Sequence, residues 1–277
     1  MKKMLSLALV LVLMMSLAAC GAKTETPAAT TAPAAAAETT AAAADTEAPA
    51  AEVKTIEAGK LIMSTNASFP PYEMIADDGS FEGIDVEVAG AIAKKLGLEL
   101  EVDDMDFDAA LLAVQQNKSD IVMAGVTVTD DRKLVMNFTD SYATGVQVVI
   151  VKEGSDVTLD NLGEKMIGTQ RGTTGYIYTS DDYGDDHVTA YDNGASAVQA
   201  LMNGQVDCVV IDAAPAEAYV EANPGLTILD TEYVVENYAI GVNKDNAALL
   251  DAINGALAEL TADGTLDTII GKYITAE

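Results

Sequence analysis

The chain is 277 residues long and carries 15 Lys and Arg against 44 Asp and Glu, a formal charge of -29. So acidic a surface repels phosphate backbones and anionic headgroups, which excludes nucleic acid as a partner and attachment to a membrane by surface charge. One histidine and two cysteines leave no cluster to hold a transition metal.

Met1-Lys2-Lys3 and the apolar run Met4 to Ala19 are a short basic segment and a hydrophobic core too short for a comfortable membrane span. Residues 1–19 therefore read as a secretory signal peptide. The run ends in Leu17-Ala18-Ala19-Cys20-Gly21, which resembles the lipobox of bacterial lipoproteins. That resemblance implies cleavage before Cys20 and acylation of its thiol and new amine; the alternative is a plain signal peptide beside an incidental cysteine. Residues 20–52 are almost all Ala, Thr, Pro and Glu. They cannot bury enough apolar surface to offset chain entropy, and read as a disordered, lipid-anchored tether.

From Val53 onward the chain is long enough for one large or two small cores. Lys60 to Thr65 reads as a first strand, and Asn66 to Glu73 as the loop at its C-terminal edge, stiffened by Pro70 and Pro71. Asp85 to Leu96 has helical spacing in Val86, Ala89, Ile92, Ala93 and Leu96, with Gly97 as its stop. A strand follows over Leu98 to Val102, then a helix over Phe107 to Gln116 with Asp106 as its cap. Asp120 to Ala124 is a short apolar run closed by Gly125, the pattern of a buried parallel strand. Thr129 then caps a helix with Asp130 and Asp131 at its positive end and Arg132 in its first turn. An arginine fork beside a helix start suits a carboxylate; an ordinary capped helix with a solvated arginine fits these nine residues equally well.

After the β-branched strand Val146 to Val151 the alternation starts afresh. Met166 to Thr169 is a strand, Gln170 to Gly175 its edge loop, and a helix follows with Tyr176. The loop's two Thr and two Gly invite an anion or an amide, but it lacks the Gly-Lys-Thr ending of a phosphate-binding loop. Ala195 to Met202 is helical, Val206 to Ile211 is a buried strand holding Cys208 as a small hydrophobe, and Asp212 stands where that strand runs out. Asp212 suits a cation or, equally, the cap of the next helix. Glu232 to Val242 is extended, and helices over Ala247 to Leu260 and Thr265 to Tyr273 follow. Strand–helix alternation argues an α/β fold with mainly parallel sheets, and Val146 to Val235 reads as a second α/β unit inserted in the first.

No nucleophilic or metal-binding signature is present. His187 lies in the acidic loop Asp181 to Asp186, which lacks the order of a calcium-binding loop and reads as solvated surface. What remains is a set of complementary groups on edge loops: Arg132 and Thr127 for a carboxylate, Asp212 for an ammonium, and Phe69 and Phe107 as apolar walls. A molecule with both charges is an α-amino acid.

The chain from about Lys60 to Ile274 resembles the family 3 solute-binding proteins of bacterial ABC importers. The resemblance rests on Phe69-Pro70-Pro71-Tyr72-Glu73, Gly83-Ile84-Asp85-Val86-Glu87, Ala91 to Gly97, Ala124 to Arg132, Gly172-Thr173-Thr174-Gly175 and Ala262-Asp263-Gly264-Thr265. It implies a two-lobed periplasmic-binding-protein fold of type II. Lobe 1 would be residues 53–143 plus 237–277 and lobe 2 residues 144–236, joined by hinge strands near Ser141 to Val146 and Val234 to Tyr238.

The resemblance further implies that Arg132 grips the ligand carboxylate with Thr127 and groups near Gly125, Thr173 and Thr174, while Asp212 takes the α-ammonium. Phe69 and Phe107 would sandwich the ligand. Asn66 falls where many members place an aspartate and Gln170 where some have a lysine, which points to a neutral polar side chain such as that of glutamine or cystine; Arg171 leaves an acidic ligand open. The implied protein is a monomer on the outer face of the cell membrane, held by its lipid at Cys20, passing a free L-amino acid to an ABC permease without cofactor, metal or catalysis. The alternative is a dehydratase-type enzyme on the same fold acting on a cyclic amino acid precursor.

Overall fold

The computed structural model describes residues 53–274, so the expected signal peptide, Cys20 and the tether lie outside the described residues. The first half of the folded chain contains β1 (Lys60–Thr65), β2 (Ser68–Phe69), β3 (Glu73–Ile75), β4 (Phe81–Glu82), α1 (Ile84–Leu96), β5 (Glu99–Asp104), α2 (Phe107–Gln115), β6 (Ile121–Val122), α3 (Asp130–Val135) and β7 (Met136–Lys152). It continues through β8 (Ile167–Gln170), α4 (Thr174–Tyr183), β9 (Val188–Tyr191), α5 (Gly194–Met202), β10 (Cys208–Asp212), α6 (Ala213–Ala222), β11 (Leu226–Ile228), β12 (Val234–Asn243), α7 (Ala247–Ala262) and α8 (Thr265–Tyr273).

The main sheet runs β5-β1-β6-β12-β7-β10-β8-β9. β1 is parallel to β5 and β6 in one lobe, and β8 is parallel to β10 and β9 in the other. Between these groups lies an antiparallel pair. β7 spans 17 residues; its first part pairs with β12, and its last part with β10 and β11. Val234 to Tyr238 of β12 lies opposite Gln147 to Ala143 of β7, and two register shifts follow at Tyr238 and Ala239. Such irregularities bend and twist a strand pair, which suits backbone that must carry the chain from one lobe to the other. This is the type II binding-protein architecture.

The elements form for ordinary reasons. α1 buries Val88, Ala89, Ile92 and Ala93 on one face and ends at Gly97, whose φ of 70° gives the left-handed cap that favours glycine. It shares a core with Leu249, Ile253 and Leu257 of α7 and with Leu266 and Ile269 of α8. A separate cluster of Val149, Val151, Leu162, Ile167, Cys208 and Val210 serves the second lobe. Cys208 is buried as expected, and burial pushes its thiol up to about 12.

Three details depart from the sequence reading. β7 begins ten residues before Val146, because polar Asn137, Thr139, Asp140 and Ser141 in its first part hide the strand pattern. The edge loop after β1 contains a three-stranded sheet, β2-β3-β4, too short to register as periodicity. Asp106 precedes α2 in extended conformation but makes no side-chain capping bond. Among the described residues no helix is long and apolar enough to cross a membrane.

Candidate functional site

The C-terminal edges of four strands converge on one cavity between the lobes. Asn66 follows β1, Ala124 to Thr127 follow β6, Gln170 ends β8 and Asp212 ends β10. This is where an open parallel sheet leaves its strand ends and helix starts free to meet a ligand. The lobes touch across it: Arg132 Nη2 donates to Gly172 O at 3.0 Å, Gln170 Nε2 to Asn66 Oδ1 at 2.9 Å, and the Tyr219 hydroxyl to Ser68 O at 2.8 Å.

Arg132 is held by the turn that the sequence foretold. Thr129 Oγ1 accepts from Arg132 N, so the first turn of α3 directs the side chain inward, where it is 8% exposed. Its guanidinium donates to Thr127 O at 2.8 Å and lies 5.4 Å from the centre of the Phe107 ring. Burial lowers its proton affinity, and the Glu236 carboxylate acts in the opposite sense.

Asp212 is equally well anchored. Its Oδ2 accepts from Val146 N at 2.9 Å and its Oδ1 from Ala214 N at 3.2 Å, so it caps α6 and faces the cavity at once. Burial pushes its carboxyl up to about 7, against the pull of the Tyr238 hydroxyl and these two N–H groups. Gly145 makes the arrangement fit: a Cβ there would lie 2.5 Å from Asp212 Oδ2 and 2.6 Å from the Tyr238 hydroxyl. Gly125 has φ +54°, and a Cβ would meet Phe69 at 2.9 Å. Its N–H is thereby free to donate to Asp85 Oδ2.

Other groups in the cavity wall are not anchored. Glu73 is fully buried, and neither of its carboxyl oxygens has a hydrogen-bond partner. Burial and the neighbouring Asp85 and Asp104 carboxyls hold its proton affinity well above the usual carboxylate range. Gln170 Oε1 is also buried without a partner. Its orientation follows from a chain of bonds: Asn66 Nδ2 donates to Met105 O at 2.8 Å, so Asn66 Oδ1 faces Gln170, takes its amide N–H, and leaves the Gln170 oxygen unmatched.

All ten residues singled out in the sequence line this one cavity: Asn66, Phe69, Phe107, Gly125, Thr127, Arg132, Gln170, Thr173, Thr174 and Asp212. Sequence reasoning missed Glu73, Ala124, Gln147, Ile211 and Tyr238, which line it as well. Gln147 lies on β7 and Tyr238 on β12, the antiparallel pair between the two groups of strands, and Gln147 donates to the buried Glu236 at 3.0 Å. Glu73 did carry a signal, since it closes the Phe-Pro-Pro-Tyr-Glu motif. Read as the end of an edge loop, it received no role.

Residues 61–276 match the profile of the bacterial extracellular solute-binding proteins, family 3. The chain is 34% identical over 222 residues to a probable histidine-binding protein of Neisseria gonorrhoeae, covering 78% of this chain and 83% of that one. It is 30% identical over 228 residues to an L-cystine-binding protein of Escherichia coli K12, covering 81% and 86%. Among solved structures, an ancestral arginine-binding protein bound to glutamine superposes with a TM-score of 0.75 at 40% identity, over 79% of this chain and 99% of that one.

Proposed function

The chain belongs to the family 3 bacterial extracellular solute-binding proteins, and on that premise we propose that it captures a free amino acid with a cationic side chain and delivers it to the permease of an ABC importer. Arg132, with Thr127, Thr173, Thr174 and backbone near Gly125, receives the α-carboxylate; Asp212 receives the α-ammonium; Phe69 and Phe107 flank the ligand. One observation carries the choice of side chain. Glu73 Oε1 and Oε2 and Gln170 Oε1 are three buried acceptors without donors in one cavity wall. A guanidinium or ammonium supplies several donors and a countercharge at once, which offsets a desolvation that otherwise costs stability. The relative named for histidine binding fits the same reading, while the cystine-binding relative and the glutamine-bound ancestral structure fit a neutral polar ligand.

A neutral polar ligand, glutamine or cystine, is the second reading. Asn66 and Gln170 favour it, since two amides can hydrogen-bond an uncharged side chain in either direction. Under both readings the protein binds without chemistry, because an opposed arginine and aspartate suit an intact amino acid backbone. Turnover of a cyclic phenylalanine precursor by the purified protein would overturn that point. The Leu17-Ala18-Ala19-Cys20-Gly21 order supports lipid anchoring at Cys20 on the outer face of the membrane.

The test is thermal unfolding of purified protein, first unfolded and refolded to strip carried ligand, with each of arginine, lysine, histidine, glutamine and cystine. A ligand present at a hundredfold excess over its dissociation constant adds about 2.7 kcal/mol of stability. The largest rise is expected with arginine or lysine. A rise confined to glutamine or cystine favours the second reading, and no rise with any amino acid overturns both.

A further inference from the structure

Behind the cavity wall lies a carboxylate that does not line the cavity. Asp85 is completely buried in the first turn of α1. Its Oδ2 accepts from Gly125 N at 2.9 Å and its Oδ1 from the Tyr142 hydroxyl at 2.7 Å. It thus joins a helix start, the glycine of the ligand loop and the β7 strand that runs between the lobes. Burial pushes its carboxyl up to about 6, while the two donors and the positive end of a 13-residue helix favour its ionised form and hold it below Glu73. Glu73, beside it, has no donor at all.

The titratable groups around Glu73 are Asp85, Asp104 and the hydroxyls of Tyr72, Tyr142 and Tyr219. None of them is a cation, and among the described residues no Lys, Arg or His forms an ion pair with Glu73 or Asp85. Two adjacent buried carboxyls without a countercharge do not both ionise. Hydrogen bonding decides which of them yields: Asp85 keeps its charge and Glu73 takes the proton.

We propose that Asp85 is a specificity-determining residue acting through Glu73: its fixed carboxylate keeps a proton on Glu73 until a cationic ligand side chain displaces that proton to solvent. The inference rests on the cationic reading of the cavity. The step balances simply. The Glu73 O–H bond breaks, the proton passes to buffer, and the carboxylate pairs with the ligand's cation. A guanidinium remains protonated throughout, so the released proton is not the ligand's. A neutral side chain leaves Glu73 protonated. Arginine should therefore bind more tightly as pH rises, by up to about tenfold per pH unit while Glu73 is protonated without ligand, and glutamine should lack this dependence on Glu73.

Calorimetric titration of the purified protein in two buffers of different ionisation heat counts the protons. Asp212 faces the α-ammonium shared by every amino acid, so its contribution is common to arginine and glutamine, and the readout is the difference between them. The expected result is close to one extra proton released with arginine. Asp85→Asn should reduce that release and flatten the pH dependence of arginine affinity. Because Asp85→Asn also loosens Gly125 and Tyr142, Glu73→Gln serves as the second variant; it keeps both of those bonds and should abolish the extra release. Arginine binding with no extra proton, or release unchanged in Glu73→Gln, overturns the inference while leaving an amino acid receptor in place. Failure of every cationic amino acid to bind overturns the reading of the cavity and this inference with it.

Discussion

The cavity contains two kinds of charged group, and they differ in what holds them. Arg132 donates to two backbone carbonyls and Asp212 accepts from two backbone N–H groups, whereas Glu73 has no partner for either oxygen. The first pair is held by the main chain, which leaves less ordering to be done on binding. Its demand is the same for every α-amino acid. The Gln170 oxygen is a buried acceptor whose desolvation a ligand donor can offset, and Glu73 becomes one when it ionises. Groups of that kind discriminate, because a ligand lacking the donor leaves them unpaired. On the proposed function, capture of the amino acid backbone and choice of the side chain therefore fall to separate residues.

The strongest way to break this division is Arg132→Ala. Affinity for every amino acid should fall by about 2–5 kcal/mol, as when one partner of a buried charge pair is truncated. Calorimetry measures the loss, and an unchanged far-UV spectrum shows that the fold survives. Discrimination between ligands should persist in whatever binding remains.

Glu73→Gln attacks the other half. Cationic ligands should lose about 1.5–3 kcal/mol, the range for a hydrogen bond to a charged group, while glutamine affinity holds or rises. A parallel loss for arginine and glutamine would show that Glu73 does not choose the side chain.

Gly145→Ala tests the anchoring of Asp212 without touching a charge. The added methyl falls 2.5 Å from Asp212 Oδ2, and overpacking of this kind costs about 1–3 kcal/mol. The expected readout is a lower melting temperature with weaker binding of all ligands alike. Equal relative affinities for arginine and glutamine in the variant would sharpen the contrast.

The mildest perturbation changes no residue. With its pKa raised by burial to about 7, Asp212 contributes stability at low pH that is lost as pH rises toward 7, because the folded state holds a proton that the unfolded chain has released. A ligand ammonium compensates the ionised carboxylate. The rise in melting temperature on adding ligand should therefore grow between about pH 5 and about pH 7. A rise independent of pH would place the ammonium elsewhere.

Much of this molecule was legible in its residues. Alternating apolar runs located β1, α1, β6, β8, α5 and β10, and Gly97 marked the end of α1, because burial of a repeating face leaves a period in the sequence. Thr129 and Arg132 stood out because capping is a local rule, and Asp212 stood out as a charge at the end of an apolar strand. The first part of β7 was hidden by its polar residues, and β2, β3 and β4 are two or three residues long. Glu73 was hidden for a related reason: it sits in that small sheet, opposite Phe69, and the pairing buries it.

The sequence by itself determined the α/β class, the family, and the groups proposed to meet an amino acid backbone, since each depends on periodicity or on a motif within a few residues. Only the tertiary structure decided the side-chain pocket. Whether a carboxylate is solvated or buried without a donor depends on Asp85, Asp104, Asn66 and Gln170, which come from different strands, loops and helices. No local pattern records that meeting, because desolvation and the loss of a hydrogen-bond partner are properties of the assembled cavity.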